Sequence, residues 1–310
     1  MQLEVRSISK HFGEKHVLNN VSFTADQGMA LGLLGRNGAG KTTAIRIVMD
    51  VFPPDEGEVL FGGHHLRHAG IHVGYLPEER GLYPKIPVGR QLVYLAELRG
   101  LTRTEAQASV KNWLGRLEMS EYLDKKLETL SKGNQQKIQL ALALLADPAV
   151  IILDEPFSGL DPVNAQLLKD IVTEQVDNGK IVLFSSHQMG YVEEFCDSVA
   201  ILNGGNIVLS GGIHAIKRSY PRTRLAVRVG GTDGTTDALL ARLADRTELS
   251  RRIASITSDG LDGCVVRLSD PDAKDPLLAA ILAEGVSIET FAVIEPSLEE
   301  IFVEKTGDAI

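Results

Sequence analysis

A chain of 310 residues with 44% hydrophobic and 24% charged residues has globular proportions, which excludes a disordered or collagen-like chain. Lys+Arg 32 against Asp+Glu 41 leaves a formal charge of -9, which argues against a surface given over to nucleic acid. The two cysteines, Cys196 and Cys264, stand far apart in no metal-type spacing; they read as small buried hydrophobes in a reducing compartment rather than a disulfide scaffold.

The start, Met1 to Arg6, lacks the basic-then-apolar pattern of a signal peptide. The most apolar stretch, Ile138 to Leu153, is broken by Gln139, Asp147 and Pro148, so no bilayer span is expected. To about Ser210 the chain alternates short apolar runs with helical periodicity, the pattern of an α/β domain. Gln2–Ser7 and Val21–Ala25 predict antiparallel strands; Ala30–Leu34, Val150–Asp154 and Ile181–Ser185 predict core strands, each followed by a turn and a helix. Between Val88 and Ala146 the strand signal gives way to helical spacing at Gln91–Arg99, Arg103–Leu117 and Gln135–Ala146, with Trp113 in a small core. A turn at Gly211 and Gly212 and the basic stretch Lys217–Arg224 predict a boundary. Beyond it a strand begins at Leu225, Asp237–Arg246 is helical, and Ile253–Thr257 with Cys264–Leu268 forms a hairpin. Asp275–Glu284 is helical again and Ser287–Val293 is a strand. This β-α-β-β-α-β order predicts a small ferredoxin-like α+β domain, and Ser297 with Glu300 predicts a capping box on a last helix.

Gly35-Arg36-Asn37-Gly38-Ala39-Gly40-Lys41-Thr42 fits G-x-x-x-x-G-K-[ST] between a predicted strand and a helix opening at Thr43. Glycines let backbone N–H groups close around phosphate oxygens, Lys41 reaches the β- and γ-phosphates, and Thr42 ligates Mg²⁺. Val150 to Asp154, followed by Glu155, delivers two acids to the same sheet edge. Alone, a strand ending in Asp-Glu reads equally as a structural cap. Beside a phosphate loop, Asp154 becomes a metal holder and Glu155 the group that orients or activates water.

Further motifs follow in a fixed order: Leu130-Ser131-Lys132-Gly133-Asn134-Gln135 before a helix, Ser158-Gly159-Leu160-Asp161, and His187 after Ser185-Ser186. With the phosphate loop and the paired acids, they resemble the signature motif, D-loop and switch histidine of ABC-transporter ATPase subunits. The resemblance covers residues 1–215, with a helical subdomain at 88–146, and residues 222–310 resemble the accessory C-terminal domain of an ABC-2-type branch that includes drug and sodium exporters. The segment Gly74 to Tyr83 is similar to the same branch. The resemblance implies that Phe12 stacks on adenine with Val17 beside the ribose, where the residue alone would read as core, and that His187 contacts the γ-phosphate. It places Ser131, Gly133, Asn134 and Asp161 at the nucleotide of a second copy, and Glu78 at the Q-loop beside the metal. Lys132 and Asn134 depart from the usual L-S-G-G-Q, and Glu78 replaces the usual Gln.

The implied function is hydrolysis of MgATP by a dimer at the cytoplasmic face of the cell membrane, driving movement, with export favoured, through an integral membrane permease subunit. The rival is an ATP-gated clamp on nucleic acid or ribosomes, whose usual forms carry paired ATPase domains or long coiled coils. A GTPase would carry an N-K-x-D motif, which this sequence lacks. His64, His65, His68 and His72 include i, i+4 spacings, but Gly62, Gly63 and Gly70 argue against a helix that would gather them around a metal.

Overall fold

The runs Ala30–Gly35, Val150–Asp154 and Ile181–Ser186 are buried along their whole length, the mark of strands covered on both faces. In the computed structural model, which describes residues 1–79, 81–157, 160–230, 236–245, 249–260 and 262–307, they lie at the centre of a six-stranded sheet. The chain divides into two units, Met1–Ile213 with the tail from Phe302, and His214–Ile301. No helix among the described residues is long and apolar enough to cross a membrane.

The first unit runs β1 (Gln2–Phe12), β2 (Lys15–Asp26), β3 (Ala30–Gly35), α1 (Lys41–Val48), β4 (Glu56–Phe61), β5 (His64–His65) and β6 (Val73–Leu76). Three helices follow, α2 (Val88–Leu98), α3 (Arg103–Arg116) and α4 (Lys132–Leu144). The unit then completes its α/β pattern with β7 (Val150–Asp154), α5 (Pro162–Asp177), β8 (Ile181–Ser186), α6 (Met189–Phe195), β9 (Ser198–Asn203) and β10 (Asn206–Gly212). The main sheet has the order β10-β9-β3-β8-β7-β6. Every pairing from β9 to β6 is parallel, so the carboxyl ends of β3, β8, β7 and β6 share one edge. A second, antiparallel sheet, β2-β1-β4-β5, packs its aliphatic residues Leu3, Val5, Val21 and Val59 into the core that also holds Leu31, Ile45 and Ile152.

Local chemistry sets the helix starts. Thr102 caps α3 in a full capping box with Glu105, and Ser131 and Asp161 cap α4 and α5 through their side chains. Trp113 is buried on α3 beneath the Arg116 guanidinium. Helix α4 starts at Lys132 rather than Gln135, because capping by Ser131 overrides the poor helix propensity of Gly133 and Asn134.

Further features are set by the tertiary structure. β1 and β2 are longer than Gln2–Ser7 and Val21–Ala25, because positive φ at Ser7 and Asn20 and the register shifts beside them break the alternation that a strand pattern follows. Gly211 and Gly212 form no turn; they pair with Val199 and Ser198 in β10, and the turn is made by Gly204 and Gly205. The start of the basic stretch that predicts a boundary, Lys217 to Ser219, lies in helix α7 (Ile213–Ser219). His64 and His65 lie on the short β5 and Leu66–His68 is a 3-10 turn, so no α-helix stacks them at i, i+4.

The second unit contains β11 (Arg224–Gly230), α8 (Thr236–Ala244), β12 (Ile253–Ser258), β13 (Cys264–Leu268), α9 (Lys274–Ala283) and β14 (Ser287–Val293), and the chain leaves it within α10 (Leu298–Thr306). Its sheet, β12-β13-β11-β14, is antiparallel throughout, the split β-α-β arrangement of a ferredoxin-like fold. Leu225, Val227, Leu240, Val266, Leu277 and Ile281 form its own core. The capping box at Ser297 is present: Ser297 N–H donates to Glu300 at 3.0 Å and Glu300 N–H to Ser297 Oγ at 3.1 Å. Arg246, the end of the predicted helix, lies outside the described residues.

Gly74 carries the contact of β6 with α4. A Cβ there would lie 2.3 Å from the Ala143 carbonyl oxygen, which a side-chain rotation cannot relieve. Gly74→Ala is expected to destabilise the first unit by about 1–3 kcal/mol, the usual range for overpacking. A denaturant midpoint equal to that of the parent protein would contradict this reading.

Candidate functional site

The phosphate loop joins β3 to α1. Gly38 and Gly40 adopt φ of +81° and +113°, and a Cβ on Gly40 would lie 2.7 Å from Leu18 Cδ2 and 2.9 Å from the Val17 carbonyl oxygen. Glycine is therefore required at position 40 by both conformation and space. Helix α1 has no side-chain cap and no acid in its first turn, so its leading N–H groups and dipole remain directed to an anion. Lys41 is buried, and its ammonium donates to the carbonyl oxygens of Gly35 and Arg36. Burial lowers the Lys41 pKa, while Glu155, Asp154 and Glu78 act in the opposite direction.

This loop forms one wall of a cleft of about 390 Å³. Phe12, Val17, Asn37, Gly38, Gly40, Lys41, Thr42, Thr43, Glu78, Asp154 and Glu155 all line it. Phe12 is 50% exposed at the tip of the β1-β2 hairpin, edge-on to Phe52 with Lys10 above both rings; it is a platform, not a core residue. Ala39 departs from the expected cofactor-binding set: its side chain belongs to the core and its N–H donates to the Arg36 carbonyl, closing the turn. Lys15 and Arg36 also line the cleft and were not singled out in the sequence. Position 15 is legible only through its place between Phe12 and Val17.

The acids enter from β7. Asp154 is 4% exposed and pairs in register with Ser185 of β8, and Tyr75 Oη donates to its Oδ2 at 3.5 Å. Burial raises the Asp154 pKa, reinforced by Glu78 and Glu155 and opposed by Lys41; burial likewise pushes the Tyr75 hydroxyl up to about 12. Glu155 has φ +48°, uncommon for a residue with a side chain, and its N–H donates to the Ser185 carbonyl at 2.8 Å. Its Oε1 accepts from His187 N–H at 2.8 Å and faces His187 Nδ1 at 2.7 Å, while its Oε2 accepts from Ser186 Oγ at 2.9 Å. His187 reaches outward, with its side chain 62% exposed. A carboxylate can only accept, so the imidazole carries its proton on Nδ1 in this pair.

The remaining predicted residues form a second cluster that does not line the cleft. Ser131 Oγ accepts from Asn134 N–H at 3.2 Å at the start of α4. Asp161 accepts from Asn164 N–H at 2.9 Å and Nδ2 at 2.6 Å at the start of α5; the backbone N–H of Asn164 holds its carboxyl below the usual range. Gly133 looks toward Leu160 and Asn164, but a Cβ there would meet nothing closer than 3.6 Å among the described residues. Packing among the described residues does not require glycine at 133. Ser158 and Gly159 of the predicted D-loop, and Arg80 after Glu78, lie outside the described residues.

The fold matches known proteins. A solved structure of the ATP binding subunit of an ABC transporter superposes with a TM-score of 0.66 at 31% identity, over 71% of this chain and 93% of that one. Residues 18–158 match the ABC transporter family, and residues 211–306 match the family described as ATP-binding protein DrrA1-3-like, C-terminal domain. An uncharacterized ABC transporter ATP-binding protein of Bacillus subtilis, YhaQ, is 39% identical over 306 residues, covering 98% of each chain. The chain belongs to the ABC transporter ATP-binding family. It is an ATPase subunit of a transporter rather than a clamp on nucleic acid. Another ABC relative, the Nod factor export ATP-binding protein I of Burkholderia lata, is 31% identical over 309 residues, covering 98% of this chain and 97% of its own.

In this ABC subunit, Gly40→Ala would push a methyl against the Val17 carbonyl in a backbone conformation reserved for glycine. ATP affinity is expected to fall by about tenfold or more, following a strain of ~1–3 kcal/mol. Fluorescent-nucleotide titration checks this, and unchanged affinity would refute the geometric requirement.

Proposed function

We propose that this subunit hydrolyses MgATP as one half of a homodimer docked on an integral membrane permease, and that the cycle drives export. The observation that carries the dimer is the separation of the predicted site into two clusters. Phe12, the phosphate loop, Glu78, Asp154 and Glu155 line one cleft, whereas Ser131, Gly133, Asn134 and Asp161 stand apart from it. Glycine in the first turn of α4 costs helix stability and relieves no contact among the described residues, so its use fits close approach by a phosphate bound to another copy. The name of the Nod factor relative supports export, and the family supports a peripheral position at the membrane's cytoplasmic face.

The donor set fits a divalent cation. Three carboxylates share the cleft with a loop suited to a polyanion, a repulsion that Mg²⁺ between acids and phosphates would remove. Thr42 and Asp154 would hold the ion, with Glu78 beside it; phosphate oxygens and water would complete its ligands. In hydrolysis Glu155 takes a proton from water as the water oxygen bonds to the γ-phosphorus. The bond from that phosphorus to the bridging oxygen breaks, releasing ADP and phosphate. Lys41 and the loop N–H groups balance the charge on the transferred group, and His187 holds Glu155 while facing the γ-phosphate.

Glu155→Gln keeps the shape of the side chain and removes its basicity. Turnover is expected to fall by about 100-fold or more with ATP still bound. Size-exclusion chromatography with ATP should then show a persistent dimer, and near-parental turnover would move the base role to another residue.

The composite site is tested by mixing. Lys41→Ala and Ser131→Arg should each inactivate a homodimer. In a mixed dimer both defects fall on one site and leave the other intact, so ATPase activity should reappear. Cross-linking verifies that mixed dimers form, and a Ser131→Arg monomer hydrolysing at the parental rate would refute the composite site.

A further inference from the structure

Ser186 is a small polar residue at the end of β8, 2% exposed, to which the sequence motifs assign no role beyond its place before His187. Its hydroxyl has one hydrogen and two lone pairs. The Gln188 N–H donates to Ser186 Oγ at 3.1 Å, which occupies one lone pair and fixes the turn into α6. The hydrogen is directed to Glu155 Oε2 at 2.9 Å, an acceptor that cannot donate in return while ionised. The proton on this bond is therefore assigned by its surroundings.

The two oxygens of Glu155 are held unequally. Oε1 faces two donors, His187 N–H and Nδ1, which use both of its lone pairs. Among the described residues Oε2 receives only Ser186, which leaves one lone pair. We infer that Ser186 is a positioning residue for ATP hydrolysis: it locks the Glu155 carboxylate so that Oε2 presents its remaining lone pair to the attacking water. This rests on the reading of Glu155 as the base. A carboxylate held at one oxygen by His187 can still rotate about its last bond; the Ser186 hydrogen bond removes that freedom, and the left-handed backbone at Glu155 is held separately by the Ser185 carbonyl. Ser186 does not itself line the cleft and meets it only through Glu155, so its loss should leave nucleotide binding intact.

Two variants separate hydrogen bonding from packing. Ser186→Ala removes the hydroxyl, and Ser186→Cys preserves the side-chain volume with a much weaker donor. Both should lower kcat by about tenfold, the consequence of losing one hydrogen bond to a charged group, while KM for ATP stays within about twofold. A packing role predicts instead that Cys restores activity lost in Ala. Glu155→Gln is measured alongside: parental activity there overturns the base reading itself, whereas an inactive Glu155→Gln with kcat of Ser186→Ala or Ser186→Cys near the parental value overturns only the role of Ser186. A rise in KM that accounts for the whole loss of activity also overturns it.

Discussion

Parallel pairing of β3, β8, β7 and β6 is the constraint on which the site depends. Leu34 lies beside Ser186, Asp154 beside Ser185, and Leu76 beside Leu153, so four chain segments far apart in sequence end at one level of the sheet. The residues just past those ends are the phosphate loop, Glu155, His187 and Glu78. A one-residue slip between β7 and β8 would send alternate side chains to the opposite face and separate Glu155 from both Ser186 and His187. The aliphatic runs that bury these strands on both faces also specify catalytic geometry.

That burial places charges where water screens them weakly. Lys41 and Asp154 are each moved toward their neutral forms by desolvation, and each is opposed by the other's charge. The cleft is thus balanced between one buried cation with helix-terminal N–H groups and a wall of acids. Glu155 is held by bonds from residues 185 to 187 at both its backbone and its side chain, and its positive φ is tolerated because those bonds over-determine its position.

The residues outside the cleft obey a different logic. Ser131 and Asp161 each satisfy the start of a helix, roles that the chain fulfils by itself. Among the described residues nothing packs closely enough on Gly133 to require glycine there. A residue whose identity the described fold explains, Ser131, and one whose identity it does not explain, Gly133, therefore sit side by side at the start of α4. The C-terminal unit, with its own antiparallel sheet and its own core, is built independently of this chemistry.

The sequence by itself determined the strands that bear the phosphate loop and the acids, the helical insert, the β-α-β-β-α-β order and the loop's chemistry. Each of these is written within a few neighbouring residues: an aliphatic run, a glycine at a left-handed position, a capping side chain. Tertiary structure alone decided that Ala39 turns into the core, that Lys15 reaches the cleft wall, that Gly204 and Gly205 rather than Gly211 and Gly212 make the turn, and that Ser186 meets Glu155. The last contact joins residues 31 positions apart. Its existence depends on the register of β7 against β8, which arises from packing both faces of the sheet at once and is absent from either segment read alone.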